Sequence, residues 1–110
     1  MFEEKYILSL LKDINDNKEI YIRNKIKRRG VEHLSISELN YLRKKNDLEL
    51  IDIDNLKLIL HENMISYSDI EKATNISRPM MCMILRGTRN CTIAQLKKIY
   101  KYLDKQHIKY

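Results

Sequence analysis

The stretch that decides the fold is residues 66–90, SYSDIEKATNISRPMMCMILRGTRN. Ser66 is followed three residues later by Asp69, which is a capping-box pattern at the start of a helix. Asn75 tolerates the left-handed conformation of a tight turn, and Ser77 has the side chain of a helix cap. The stretch therefore predicts two short helices joined by a three-residue turn.

The second of these helices has a defined inward face. Ile76, Met81 and Ile84 have the spacing of a buried stripe, and Gly87 is placed to end the helix. This phase predicts an outward face of Ser77, Arg78, Cys82, Met83 and Arg86, with Pro79 and Met80 at its edges. Met81 is thus expected in the core, where the flexible side chain of a methionine fills irregular gaps.

Two further helices flank this pair. Residues 54–63 offer Leu56, Ile59 and Leu60 as an apolar face behind a predicted Asp54 cap. Thr92 and Gln95 have the spacing of another capping box, which opens a helix over about 93–105. The inward stripe of that last helix is Ile93, Leu96, Ile99 and Leu103.

Four helices of this length, the three-residue turn and the loop Arg86-Gly87-Thr88-Arg89-Asn90 resemble the Cro/λ-repressor-like (XRE-type) helix-turn-helix family. The resemblance extends over about residues 54–104, which is under half of the chain. It implies a four-helix DNA-binding module at 54–110 whose third helix enters the major groove of duplex DNA. It further implies a homodimer that represses transcription, as small regulators of phages and other mobile elements do.

The resemblance also implies which residues contact DNA. They are Tyr67, Ser68, Ser77, Arg78, Pro79, Cys82, Met83, Arg86, Arg89 and Asn90. Arg78 has the bidentate donor geometry that discriminates a guanine, whereas Cys82 and Met83 make only apolar contacts. Residues at the start of the second helix and in the loop after the third would contact phosphates.

Glu71 departs from the family pattern. It stands in the middle of the second helix, where the family has a small residue that lets two helices cross closely. A carboxylate buried there without a partner is costly. We therefore expect either a wider crossing of the two helices, or an exit to solvent or a basic partner for Glu71.

The weak base-reading capacity of the third helix leaves a second function open. The same scaffold would serve as an inhibitor or adaptor directed at a protein or a ribonucleoprotein, for example an anti-CRISPR-like inhibitor of a bacterial defence enzyme. Its contact surface would be Met80, Cys82 and Met83, because methionine is common at adaptable binding surfaces. The basic region 18–45 is the other candidate surface for a protein partner.

Residues 1–53 predict a basic, helical N-terminal region of unknown role. An apolar stripe of Phe2, Tyr6, Leu10 and Ile14 predicts a helix over 2–15, with Ile7 and Leu11 beside it. A second helix is expected behind Ser35 or Ser37, with Leu39 and Leu42 facing inward. Residues 19–29 fit a helix or a strand up to Gly30. Residues 48–53 fit a short strand or an extended linker, which leaves a winged-helix-like element open.

The fold class is therefore mainly α, and its charge is unevenly distributed. The 110 residues carry a net charge of +6, with +6 in residues 18–45, −5 in 46–77 and +7 in 78–110. Basic blocks attract polyanions and steer their encounter, although isolated lysine runs are commonly just solvated helix faces. This distribution favours a nucleic-acid partner.

Other functional classes have little support in the sequence. Cys82 and Cys91 lack the spacing of a disulfide framework, so reduced thiols and a cytoplasmic location are expected. No apolar run is long enough for a membrane span, and the acidic start at Glu3 is unlike a secretory signal. The histidines lack zinc-ligand spacing and no phosphate loop is present, so we expect no enzyme activity, metal or cofactor.

Overall fold

The computed structural model describes residues 2–110, and these residues are mainly helical. They form seven α-helices and no β-strand, together with a 3₁₀ turn at Val31–His33. The helices are α1 (Glu4–Ser9), α2 (Asn17–Arg29), α3 (Ile36–Lys45), α4 (Ile53–Glu62), α5 (Tyr67–Thr74), α6 (Arg78–Arg86) and α7 (Ile93–Lys105). Within the described part of the chain, no helix is both long and apolar enough to cross a bilayer.

The chain divides into two compact units. Unit 1 consists of residues up to Ile51 together with Thr92–Ala94, and unit 2 consists of Asp52–Cys91 and Gln95–Tyr110. The sequence predicted two consecutive regions, 1–53 and 54–110. In the structure, residues 92–94 belong to unit 1, although they lie within the second of these regions. The return is marked by a backbone hydrogen bond from the Ile93 amide to the Leu34 carbonyl (2.9 Å).

The ambiguous segment of unit 1 is a helix. Asp16 caps α2 by accepting hydrogen bonds from the amides of Lys18 (2.8 Å) and Glu19 (3.3 Å). Ile22 and Ile26, one helical turn apart, are buried, and Gly30 ends the helix with a φ of 90°. The helical spacing of the isoleucines therefore decides this segment, and the Ile20–Ile22 alternation does not, because Ile20 is exposed.

The predicted helix over 2–15 is much shorter in the structure. It ends at Ser9, and Ile14 is 75% exposed in the turn that leads to α2, so its assignment to the apolar stripe was wrong. Leu10 is buried but lies just beyond the helix. The early end is explained by Glu19, whose carboxylate accepts the amides of Lys12 and Asp13 in place of helical carbonyls.

α3 has the capping box expected at Ser35. The Ser35 hydroxyl accepts the Glu38 amide (3.0 Å) and the Glu38 carboxylate accepts the Ser35 amide (2.9 Å). Leu39 and Leu42 are fully buried, as the sequence predicted. The core of unit 1 comprises Ile7, Leu10, Leu11, Ile22, Ile26, Leu34, Ile36, Leu39, Leu42 and Ile93.

Of the two alternatives for residues 48–53, the linker is the correct one up to Asp52, and the described residues contain neither the strand nor the winged-helix-like element that was left open. The segment is an irregular connection whose backbone bonds to side chains of α3 instead of a partner strand. The Asn40 side chain accepts from the Ile51 amide (2.8 Å) and donates to its carbonyl (2.9 Å), and Arg43 Nε donates to the Glu49 carbonyl (2.6 Å). These bonds satisfy polar groups that a second strand would otherwise have to satisfy.

In unit 2, α4 begins two residues before the expected position. Asp52, and not Asp54, is the cap, and its carboxylate accepts the Asp54 amide (2.9 Å). Leu56 and Leu60 are buried, whereas Ile59 is only half-buried. The core of unit 2 comprises Leu56, Leu60, Ile70, Ile76, Met81, Ile84, Leu85, Cys91, Leu96, Ile99 and Leu103.

α5 and α6 pack against each other and follow the predicted pattern closely. The Ser66–Asp69 capping box forms with both hydrogen bonds at 3.1 Å. Asn75 ends α5 with a φ of 63°, the left-handed conformation expected of it. The three residues after Thr74 form the turn, and α6 starts at Arg78 behind Ser77.

α7 and the cysteines also follow the sequence. α7 begins directly after Thr92, and its whole predicted stripe from Ile93 to Leu103 is buried. Among the described residues, Cys82 and Cys91 form no disulfide, in agreement with the sequence expectation of reduced thiols. Burial raises the pKa of the Cys91 thiol to about 11, so this group stays protonated and unreactive at neutral pH.

Candidate nucleic-acid interface

The burial pattern of α6 confirms its predicted phase. Met81 is fully buried, and Ile84 and Leu85 are also in the core. The outward residues Ser77, Arg78, Pro79, Met83 and Arg86 are exposed, whereas Met80 and Cys82 are half-buried. α6 therefore presents two arginines and one methionine to solvent, with apolar atoms of Met80 and Cys82 between them.

The N-terminus of α6 is fully capped by its own chain. The Ser77 hydroxyl accepts the Met80 amide (3.3 Å), and Pro79 lies in the first turn, where a missing amide hydrogen costs little. The Arg78 amide donates to the Glu71 carboxylate (3.2 Å). A negative charge at this position favours the helix, because the helix dipole is positive there.

The sequence left open what partner the Glu71 carboxylate has in the middle of α5. The structure shows that this partner is the Arg78 amide. The side chain is half-buried and its partner is a backbone amide of the next helix, not a basic side chain. The carboxylate thus joins α5 to α6 across the turn. It also places one negative charge beside Arg78, the residue predicted to contact a base.

The start of α5 supplies two more of the predicted residues. Tyr67 and Ser68 are half-buried in its first turn, next to the Ser66 cap. Asp69 lies in the same turn, and the hydrogen bond from the Ser66 amide lowers the pKa of its carboxyl group. Any phosphate at this helix start would therefore meet an ionised carboxylate as well as the helix dipole.

The loop after α6 is short and turns sharply at Gly87, which has a φ of 78°. The Thr88 amide and hydroxyl both donate to the Met83 carbonyl, at 3.0 and 3.1 Å. Arg89 and Asn90 follow and are exposed. Their side chains are free to contact a phosphate backbone, although sequence discrimination from this loop is not implied.

All ten predicted contact residues belong to unit 2 and to three consecutive pieces of chain. They lie in the first turn of α5, on the outward face of α6 and in the loop that follows. Arg78 and Arg86 lie eight residues apart on α6, a rise of about 12 Å along its axis. That rise spans several base steps of a duplex, each about 3.4 Å.

An acidic cluster in unit 1 was not foreseen from the sequence. Carboxylate oxygens of Asp13, Asp16 and Glu19 lie within 4.8 Å of one another. The ammonium group of Lys45 makes ion pairs with all three, including Asp16 at 2.6 Å, and Tyr41 donates to Asp16. The cluster is thus an internal ion-pair network, because Lys45 already supplies the positive charge that a metal ion would bring.

This network makes the stability of the protein depend on pH. Hydrogen bonds from Lys45 and Tyr41 hold the pKa of Asp16 far below its usual range. A lowered folded-state pKa stabilises the fold above the unfolded value of about 3.9, and the contribution is lost as pH falls towards the folded value. Asp16→Asn should therefore lower the melting temperature at pH 7, with a difference from wild type that shrinks below about pH 4.

Thermal melts of the wild type and Asp16→Asn between pH 7 and pH 2 check this dependence. Asp54→Asn is the matched control, since Asp54 is exposed and lies outside the cluster. A difference between wild type and Asp16→Asn that stays constant over this pH range would contradict the assignment.

No family model, no curated protein and no solved structure matches the chain.

Proposed function

We propose that unit 2 binds duplex DNA sequence-specifically, with α6 in the major groove. In this proposal the protein acts as a homodimeric transcriptional repressor of the kind found in phages and mobile elements. The main support is the outward face of α6, which carries Arg78 and Arg86 while Met81, Ile84 and Leu85 hold its other face in the core. A short helix anchored in this way is suited to entering a groove.

The charges of residues 78–110 support the same function. Residues 78–110 carry eight basic side chains and one acidic side chain. Non-specific attraction to phosphates would bring the protein to DNA, and Arg78 would then discriminate among sequences. Arg89 and Asn90 would contact the backbone and set the register of α6.

Arg78→Ala and Arg89→Ala should affect DNA binding differently. Loss of a bidentate contact to guanine costs about 1–3 kcal/mol on the preferred sequence, so Arg78→Ala should flatten the preference among sequences. Arg89→Ala removes a phosphate contact and should weaken all sequences alike. Binding of a preferred and a scrambled duplex by each variant measures both effects, and identical losses from both variants would contradict the proposed roles.

A protein-directed function is the second candidate, and Glu71 gives it specific support. Its carboxylate accepts the hydrogen bond of the Arg78 amide, so that this amide is not available to a phosphate. It also adds negative charge where a DNA-binding helix approaches phosphates. On α6 itself, Met80, Cys82 and Met83 offer an apolar surface that fits a protein better than a base edge. On this alternative the protein is an inhibitor or adaptor of a protein or ribonucleoprotein.

Met83→Gln separates the two functions. On the DNA hypothesis, binding of duplex DNA is kept or improved, because glutamine pairs with adenine. On the alternative, the same variant keeps its fold but loses its protein complex.

A further inference from the structure

Unit 2 contains a basic groove that is lined by no residue of α6. It is an open cleft of about 470 Å³ between the last turn of α5 and one face of α7. Four lysines line it: Lys72, Lys98, Lys101 and Lys105. The other lining residues are Ala73, Thr74, Asn75 and Tyr102. No acidic residue is among those that line it.

Three of the four groove lysines, Lys98, Lys101 and Lys105, form no ion pair among the described residues. All three side chains are exposed. The ion pairs found among the described residues belong to two lysines of unit 1, Lys25 and Lys45. Lys72 has some compensation from Asp69, whose pKa its charge helps to lower. Folding thus gathers like charges into one cleft, and a bound anion would relieve their repulsion.

The arrangement of the α7 lysines fits an extended anion better than a compact one. Positions 98, 101 and 105 follow one face of the helix and span about 10 Å along its axis. Three steps of a nucleic-acid strand cover about the same distance, at 3.4 Å per nucleotide. A single small anion would contact only part of this row.

The neutral residues favour nucleic acid over an acidic protein. Asn75 ends α5 in an exposed position, and the Tyr102 ring is half-buried at the side of the cleft. An amide and a phenol are common donors to phosphate and sugar oxygens. The groove offers no large aliphatic side chain to an apolar anchor of the kind that protein interfaces use.

We infer that the α5–α7 groove is a second nucleic-acid site, which binds the phosphate backbone without reading bases. It lies at the opposite end of α5 from Tyr67, about 10 Å along the helix. The groove therefore adds affinity for any sequence, whereas sequence preference is a property of α6. Its existence does not depend on the role proposed for Arg78.

The test compares two triple variants that remove equal charge. Lys98→Gln, Lys101→Gln and Lys105→Gln are combined in the groove variant. Lys5→Gln, Lys12→Gln and Lys57→Gln are combined in the control, and all six lysines are exposed. The probe is a random-sequence DNA duplex of 16 base pairs, titrated at several salt concentrations, and circular dichroism verifies that both variants are folded.

The groove variant should bind the duplex on the order of 100-fold more weakly at about 0.1 M salt. Its log–log salt slope should fall by about 2–3, since each lost phosphate contact contributes about 0.9. The control should retain most of the affinity and a slope within about one of the wild type. Equal losses in both variants would overturn the site, because they would reflect net charge alone.

Two further measurements keep the outcome independent of α6. Amide chemical shifts of Asn75 and Lys101 in the wild type should move on addition of the duplex, and unchanged shifts would overturn the proposal. A poly-glutamate peptide of equal charge that displaces the duplex at the same concentration as unlabelled DNA would identify an acidic-protein surface instead. If Arg78→Ala leaves sequence preference unchanged while the groove variant loses affinity, the α6 role fails and the groove stands.

Discussion

Replacing Met81 by glutamine is expected to lower the free energy of unfolding by about 2–4 kcal/mol. Met81 is fully buried in the core of unit 2, on the inward face of α6. A glutamine there loses apolar contacts and buries an amide whose neighbours are apolar side chains. Thermal or denaturant unfolding of the purified variant measures the loss.

Met83→Gln is the matched control, two residues further along the same helix. The two positions point about 200° apart around the axis, and Met83 is 37% exposed. Its replacement should change stability by no more than about 0.5 kcal/mol. If Met83→Gln unfolds the protein and Met81→Gln does not, the phase of α6 is wrong and the proposed contact residues are wrong with it.

Affinity for duplex DNA should fall by about 10³-fold or more when salt rises from about 50 to about 200 mM. A drop of this size requires about six or more phosphate contacts, each of which releases counter-ions. The basic residues of α6, of the loop after it and of α7 supply enough positive charge. Fluorescence anisotropy with a labelled duplex measures the slope.

A weak salt dependence or a complete lack of binding at low salt would each contradict this prediction. The groove variant described above refines it, because the slope should fall by the share that α7 contributes. Arg89→Ala should lower the slope by about one, in agreement with a single phosphate contact.

The sequence predicts α5 and α6 well because their boundaries depend on local chemistry. Both helices begin behind a serine, Ser66 or Ser77, whose hydroxyl accepts a backbone amide of the first turn. Both end at a residue in the left-handed conformation, Asn75 or Gly87. The buried stripe of α7 is equally local, since it repeats at helical spacing from Ile93 to Leu103.

The N-terminal half is less predictable because long-range side-chain contacts decide its boundaries. Glu19 ends α1 early by binding amides that precede it by six and seven residues. Asn40 holds Ile51, eleven residues away, in a connection for which the alternating pattern left a strand and a linker equally open. Neither contact leaves a periodic signal, and the assignment of Thr92–Ala94 to unit 1 leaves none either.

The sequence predicts only the part of the candidate site that depends on local helical spacing. Helical phase alone separates Met81 from the outward face, so exposure on α6 follows from spacing. The bond from the Arg78 amide to Glu71 depends on how α5 meets α6, which the sequence does not state. The basic groove had one local signal, the spacing of Lys98, Lys101 and Lys105, but Lys72 joins it only through the fold.

The central hypothesis is that α6 reads DNA sequence, and selection of bound duplexes from a random pool tests it most directly. The protein is incubated with random duplexes at moderate salt, and the recovered pool is sequenced over several rounds, in parallel with Arg78→Ala. We expect the wild type to enrich a motif that contains a guanine, with two half-sites related by a two-fold axis for a homodimer. Enrichment of no motif by the wild type, or of the same motif with equal strength by Arg78→Ala, would contradict sequence reading by α6.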